Sequence, residues 1–322
     1  MRITGPLVVD GSLWDNHVRC NELVQGGVVS FILGLYQQYN KVTGKYDLHD
    51  NCKRIADQLA ADGRFIMQAY YYVVPENDPY QQADWFIGAL HNYGYPFRFA
   101  WSDCEDYKAA MTMANRSLRY QQFTDRVATL FSNTGVYTGK WFVDGFAPDM
   151  NAWLPKYLGW PSHYGRQPTQ ATLMSWEELK ANWLPNYDVL FPTGMTNRVV
   201  GHQFTGDRCY LPGLYCQYDY VPWWPYKGRD KTDVSVFDVK FLNAISGSHI
   251  PVPPIPSPIP AYVDYKVVPK AINVRKTPDI TGVWVRYAYK DEVLHLVSIS
   301  QTSGYVQMTD KNWVSFQYLV KA

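Results

Sequence analysis

Residues 97–105 read Phe-Arg-Phe-Ala-Trp-Ser-Asp-Cys-Glu, with an aromatic at every second position until two carboxylates take over the same phase. Side chains alternate between the faces of a β-strand. Phe97, Phe99, Trp101, Asp103 and Glu105 therefore share one face, and Ala100, Ser102 and Cys104 the other. A small outer face lets helices pack closely, and a bulky inner face ending in acids suits an inner strand of a barrel. Acids at i and i+2 have Cα atoms roughly 6.5–7 Å apart, so both heads can reach one reacting bond. Paired carboxylates around a glycosidic bond are the machinery of glycoside hydrolysis. The plain alternative is a surface Asp-x-Glu at a strand end, and only further acids in matching places displace it.

Such places exist along the chain. Pro-Leu-Val-Val-Asp at 6–10 is a short apolar strand closing on Asp10, and 28–35 is apolar on both faces, as strands buried by helices are. A helix is expected within 47–63, with Asp as cap and Gly63 as stop, then a strand over 64–73 containing Tyr70, Tyr71 and Tyr72. Asp78-Pro79 opens the next helix in the order cap then N1 proline, and Gly94 ends it. After the strand at 97–105, a long helix is expected over about 107–131. Further strands are expected at 135–138, 187–191, 199–204 and 233–237, which makes eight. Strands alternating with helices predict an α/β fold, an irregular (β/α) barrel with a parallel sheet. Residues 148–185 hold one convincing short helix, 175–183, so some barrel helices are expected to be missing.

Composition narrows the function. A net charge of +1 gives no electrostatic case for nucleic acid or for a polybasic membrane anchor. Aromatics reach 16%, with 26 Tyr and 12 Trp. Surplus amphipathic rings line carbohydrate clefts, although interfaces use them equally well. Trp223-Trp224, near Tyr218, Tyr220 and Tyr226, reads equally as a sugar-stacking lip or as loop packing. Cys20, Cys52, Cys104, Cys209 and Cys216 are scattered, indicating reduced structural thiols. The seven histidines show no metal spacing, and His202 reads as a strand-end hydrogen-bonder. No Gly-rich phosphate loop is present, so no metal or other cofactor is expected. The longest apolar run, 28–35, is too short to span a membrane, and residues 1–9 do not make a signal peptide. Synthesis in the cytoplasm is the expectation.

Asp10, Gln-Ala-Tyr-Tyr-Tyr at 68–72, Gln82-Ala-Asp-Trp-Phe86, Asp103-x-Glu105, Gly135-Val-Tyr-Thr138, His202-Gln-Phe-Thr205 and Asp233-Val-Ser-Val-Phe237 stand in one order along the chain. In that order the chain resembles glycoside hydrolase family 25, the N-acetylmuramidases of phage endolysins and bacterial autolysins, over about residues 1–245. The resemblance implies a lysozyme cleaving the β-1,4 bond between N-acetylmuramic acid and N-acetylglucosamine. It makes Glu105 the general acid, Asp103 its partner, Asp10 the strand-one acid and Asp233 the acid of the last strand. Tyr70 matches a cleft tyrosine, and Tyr72, Trp101, Tyr137 and Gln203 are expected beside it on substrate. Asp103 would act as nucleophile or steady the substrate's own 2-acetamido group. The chain departs from the family at Tyr70-Tyr71-Tyr72, where Tyr-His-Phe is usual, and at Phe204, where Tyr is usual.

Ile-Pro-Val-Pro-Pro-Ile-Pro-Ser-Pro-Ile-Pro at 250–260 is a proline-rich linker, extended over roughly 30 Å at about 3.1 Å per residue. The expected organisation is a catalytic barrel over 1–245, a linker over 246–261 and a small all-β barrel over 262–322. Asn273-Val-Arg275 and Trp313-Val314 give this last part a resemblance to the bacterial Src-homology-type module, which grips the peptide stem of peptidoglycan. The implied partner is bacterial peptidoglycan, glycan at the barrel and peptide at the tail, reached after the membrane is permeabilised. Two alternatives stay open: a non-catalytic wall binder on a degenerate barrel, and a related acetamido-glycan hydrolase such as a chitinase.

Overall fold

The computed structural model describes residues 2–40, 45–165, 167–206, 208–216, 228–247, 263–267, 270–275, 284–298, 305–308, 313–315 and 319–321. The proline-rich stretch 250–260 and the Trp223-Trp224 segment lie outside the described residues. The chain divides into two compact units, 1–250 and 251–322.

In the first unit eight strands close into a barrel: Leu7–Gly11, Val28–Gly34, Ile66–Tyr72, Phe99–Asp103, Thr134–Gly139, Leu158–Ser162, Gly201–Thr205 and Asp233–Phe237. Each pairs with the next, and the eighth closes onto the first. Two expectations about the strands need correction. The sixth strand is Leu158–Ser162, whereas 187–191 is irregular. Leu-Gly-Trp-Pro-Ser carries a glycine and a proline, so it reads locally as loop. The sheet is also not wholly parallel, because the eighth strand runs antiparallel to both the first and the seventh. A parallel return needs a crossover, usually a helix. After Thr205 the described chain forms only the two-residue strands Cys209–Tyr210 and Leu214–Tyr215 before Asp233, so it enters the eighth strand from the rim where the seventh ended.

The helices follow their local chemistry. Asp78 accepts from the backbone N–H of Tyr80 and Gln81 and starts Pro79–Asn92. Ser175 and Glu178 form a capping box on Trp176–Asn182. Thr112 caps Met113–Leu130, so 107–112 is loop rather than helix. Asp50–Asp62 is capped by His49, not by Asp47, which instead pairs with Lys53 at 2.8 Å.

The barrel interior holds Val8, Ile32, Phe99, Trp101, Tyr137, Trp160 and Phe237, with Phe241, Leu242 and Ile245 of the helix Val239–Ser246 packed against them. Three buried polar side chains are joined in a chain: Trp101 Nε1 donates to Gln68 Oε1 at 2.8 Å, and Gln68 Nε2 to Ser30 Oγ at 2.8 Å. A second core, containing Ala100, Cys104, Phe86 and Phe123, includes residues of the surrounding helices. Phe97 belongs to that outer core, because the regular strand begins only at Phe99.

The second unit is an antiparallel seven-stranded sheet in the order 284–289, 271–275, 313–315, 305–308, 293–298, 263–267, 319–321. Its own core contains Val267, Ile272, Val274, Ala288, Leu294, Leu296, Met308 and Val314. Among the described residues no helix is long and apolar enough to cross a membrane, and none of the five cysteines is in a disulfide.

Candidate active site

The rim of the barrel at the ends of its parallel strands gathers the acids. Asp10 is the last residue but one of the first strand and stands directly opposite Asp233 in the antiparallel register. Asp233 therefore opens its strand rather than closing it, yet reaches the same rim because that strand is reversed. Like charges directly opposite each other destabilise a sheet, so this pairing works against stability.

Asp103 closes the fourth strand between Tyr72 and Tyr137 on its neighbours. The backbone beyond it is pinned: Val73 N donates to Asp103 O at 3.0 Å, Cys104 N to Tyr137 O at 2.9 Å, and Thr138 Oγ1 to Cys104 O at 2.7 Å. Asp106 N donates to Tyr120 Oη at 2.9 Å. Glu105 sits half-buried in this held segment.

Asp10 and Asp103 are buried, 8% and 6% exposed. Burial above all, then the facing Asp233, holds the Asp10 carboxyl well above the usual range, while the hydrogen bond from Gln203 pulls the other way. Asp103 is raised likewise, first by burial and then by Glu105, Asp10 and Asp106. Its Oδ1 is buried with no hydrogen-bond partner, whereas Asp10 accepts from Gln203 Nε2 at 3.0 Å. Tyr137 and Tyr164 both donate to Gln203 Oε1, at 2.7 and 2.6 Å, which fixes the amide so that its N–H faces Asp10.

The expected substrate residues divide into two groups. Tyr70 and Tyr72 are half-buried on the inner face, and Tyr36 meets Tyr70 edge-on at 6.3 Å with hydroxyls 3.5 Å apart. Tyr137 and Gln203 are buried and hold Asp10 through their polar ends. Trp101 does not belong with them. It is fully buried, its indole N–H is used by Gln68, and it packs on Trp160 at 5.5 Å, so it supports the floor of the site instead of meeting substrate. The departures from the family pattern at Tyr71 and Phe204 also face away: Tyr71 packs against Trp85, Phe86 and Phe123, and Phe204 lies in the outer core.

Three site residues had no signal strong enough to be singled out. Asp15 is 4% exposed, accepts from Ser12 N at 2.7 Å, and is raised by burial and then by Asp230. A Cβ at Gly11 would come within 2.9 Å of its Oδ2, so the turn requires glycine there. Asp15 lies in a turn with no periodicity. Tyr164 follows the sixth strand, whose glycine and proline give it no strand signal, and Tyr36 lies just beyond the second strand. His202 bonds His163 O through Nε2 at 2.8 Å, and burial lowers its pKa to about 4. Among the described residues no group of three or more His, Cys, Asp or Glu is arranged to hold a metal ion.

The family described as Glycosyl hydrolases family 25 matches residues 9–208, which include Asp10, Asp103 and Glu105 but stop short of Asp233. No curated protein matches the chain. The muramidase from Trichobolus zukalii is similar in structure, with TM-score 0.51 and 14% identity over 76% of this chain and 100% of that one. The bacterial lysozyme from Streptomyces coelicolor is similar with TM-score 0.51 and 14% identity, over 76% and 99%. At such identities the likeness speaks for the fold.

Proposed function

Because the chain belongs to glycosyl hydrolases family 25 and is thereby a glycoside hydrolase, we propose that it is an N-acetylmuramidase cleaving the β-1,4 bond between N-acetylmuramic acid and N-acetylglucosamine of peptidoglycan. The observation that carries this reading is the convergence of Asp10, Asp103 and Asp233 on one rim, with Glu105 two residues beyond Asp103. Glu105 is the proton donor to the leaving oxygen; its half-buried place leaves it open to substrate while its backbone is held.

Asp103 steadies the substrate's 2-acetamido group. Its unpartnered Oδ1 lacks a donor, and an acetamido N–H is such a donor. Substrate binding then supplies the hydrogen bond that favours the ionised carboxylate, countering the upward shift that burial imposes. The acetamido oxygen attacks the anomeric carbon as the glycosidic bond breaks, the leaving oxygen takes the Glu105 proton, and water opens the resulting ring with Glu105 as base. Asp10, held by Gln203, and Asp233 set the charge of the cup and position that water.

The second unit is proposed to bind the wall, supported by its compact antiparallel sheet and separate core. The proposed setting is that of a phage endolysin acting once the membrane is breached. The test is digestion of purified peptidoglycan and of chitin, with mass analysis of the new reducing ends. Reducing-end N-acetylmuramic acid is expected; reducing-end N-acetylglucosamine, or released peptides alone, overturns the assignment.

A further inference from the structure

Beyond Glu105 the rim carries two large exposed rings that the chemistry above does not use. Tyr107, two residues after Glu105, is 49% exposed, and Trp141, just after the fifth barrel strand, is 51% exposed. Their centroids are 6.1 Å apart at 72°, and both rest on Phe146, at 5.6 and 6.1 Å.

This patch is fixed from beneath. Arg116 is 4% exposed and donates to the backbone oxygens of Phe146 at 2.9 Å, Ala109 at 2.7 Å and Tyr107 at 3.4 Å. Its guanidinium also lies 5.9 Å from the Phe146 ring. Among the described residues no carboxylate pairs with it. Through these bonds from its two terminal nitrogens, with Nε left unpartnered, Arg116 ties the loop after Glu105 to the helix Lys140–Phe146 that carries Trp141. The backbone beneath both rings is thus held before any ligand arrives.

The foot of the patch is polar. The Trp141 indole lies across Gly139, where an added Cβ would overlap its ring and approach Ser162 Oγ to 2.9 Å. Ser162, 5% exposed, closes the sixth barrel strand, and its hydroxyl has no hydrogen-bond partner. A fixed apolar ring face beside unpartnered polar atoms matches a pyranose, which offers C–H groups on its faces and hydroxyl or acetamido groups at its edge.

We propose that Trp141 and Tyr107 form a preset shelf binding a pyranose of the glycan strand beyond the bond that is cleaved, with Ser162 Oγ and the Trp141 indole N–H as its polar contacts. The proposal rests on the reading of the chain as a peptidoglycan glycan hydrolase. Its occupant is a sugar ring of the same strand, because the shelf is continuous with the acid rim through only Asp106 between Glu105 and Tyr107.

The test uses the full chain and peptidoglycan glycan strands stripped of peptide. Trp141→Leu should raise KM about tenfold, with a much smaller change in kcat, and Trp141→Tyr should recover most of the loss because it restores a ring. Ser162→Ala should lower affinity several-fold while leaving the melting temperature equal or higher, since the hydroxyl it removes stabilises nothing in the free protein. That combination separates ligand contact from a structural role. KM values for Trp141→Leu and Ser162→Ala equal to wild type overturn the shelf. If the wild-type chain fails to cleave these strands, the muramidase reading falls, and the shelf is then judged alone by calorimetric binding of the same strands to Glu105→Gln with and without Trp141→Leu. Equal binding there overturns it.

Discussion

Glu105 and Asp103 are two residues apart and in different environments, one half-buried and one sealed without a hydrogen bond for Oδ1. The role assigned to Glu105 predicts that Glu105→Gln, which keeps shape but cannot donate a proton, lowers kcat on peptidoglycan by about 10²- to 10⁴-fold with little change in KM. An aryl glycoside with a good leaving group should restore the bond-breaking step, and near-normal activity on walls would remove Glu105 from the mechanism. Asp103 makes a separate prediction about stability. Its folded-state pKa is raised above the ordinary value of 3.8, so between those two values the unfolded chain has already released a proton that the folded chain keeps. Asp103 therefore supports the fold fully below about pH 3.8, and that support is lost as pH rises through its folded value. Asp103→Asn should raise the melting temperature at pH 7, by an increment corresponding to about 0.5–2 kcal/mol, and the gain should vanish below pH 4. A lower melting temperature at pH 7 contradicts the uncompensated burial. His202 has the opposite sign: with its pKa lowered from 6.5 to about 4, it weakens the fold as pH falls through that window.

Among the elements, the strand Thr134–Gly139 shows how tightly the site's floor is built. A Cβ on Gly135 would overlap the Trp101 ring and come within 2.9 Å of Leu158 O. Trp101 is fully buried between Trp160, Phe99 and Phe237 and has nowhere to move. Gly135→Ala should thus cost about 1–3 kcal/mol, read as a lower midpoint in chemical denaturation; an unchanged midpoint would show that the floor can yield. This floor also explains what could be read in the chain beforehand. The fourth strand was legible because Phe99, Trp101 and Asp103 alternate with small residues, and that phase is the one the barrel uses. Trp101 was nonetheless misplaced, because period two assigns a face but not a depth. Phase alone could not tell a ring plugging the interior from one lining the mouth. The sixth strand escaped because Gly159 and Pro161 mask it, and with it went Ser162 and Tyr164. Asp233 was found although its strand direction was not, since an acid at either end of a strand reaches the rim if the strand is reversed to suit.

At the scale of the whole molecule the two units have separate cores, one containing the barrel and the other Val267, Ile272, Val274 and their neighbours. Where each unit has a core of its own, each part has its own burial to stabilise it, and the second unit of 251–322 is small enough that its stability is modest. A chain ending at residue 250 should therefore keep its fold and its acid rim. On soluble, peptide-free glycan fragments its kcat/KM should stay within about twofold of the full chain, because every residue given a chemical role lies within the first unit. On intact walls the substrate is a fixed polymer, and a tethered wall-binding unit raises the local concentration of the barrel at its surface. Loss of the tail should then lower the rate of wall clearance by about tenfold or more, measured as turbidity loss at equal enzyme concentration. Salt offers an internal control, since a net charge of +1 gives the full chain little general attraction to an anionic wall; the difference between full and truncated chains should persist at high ionic strength. Equal clearance by both chains would take wall binding away from the second unit while leaving the chemistry of the barrel intact.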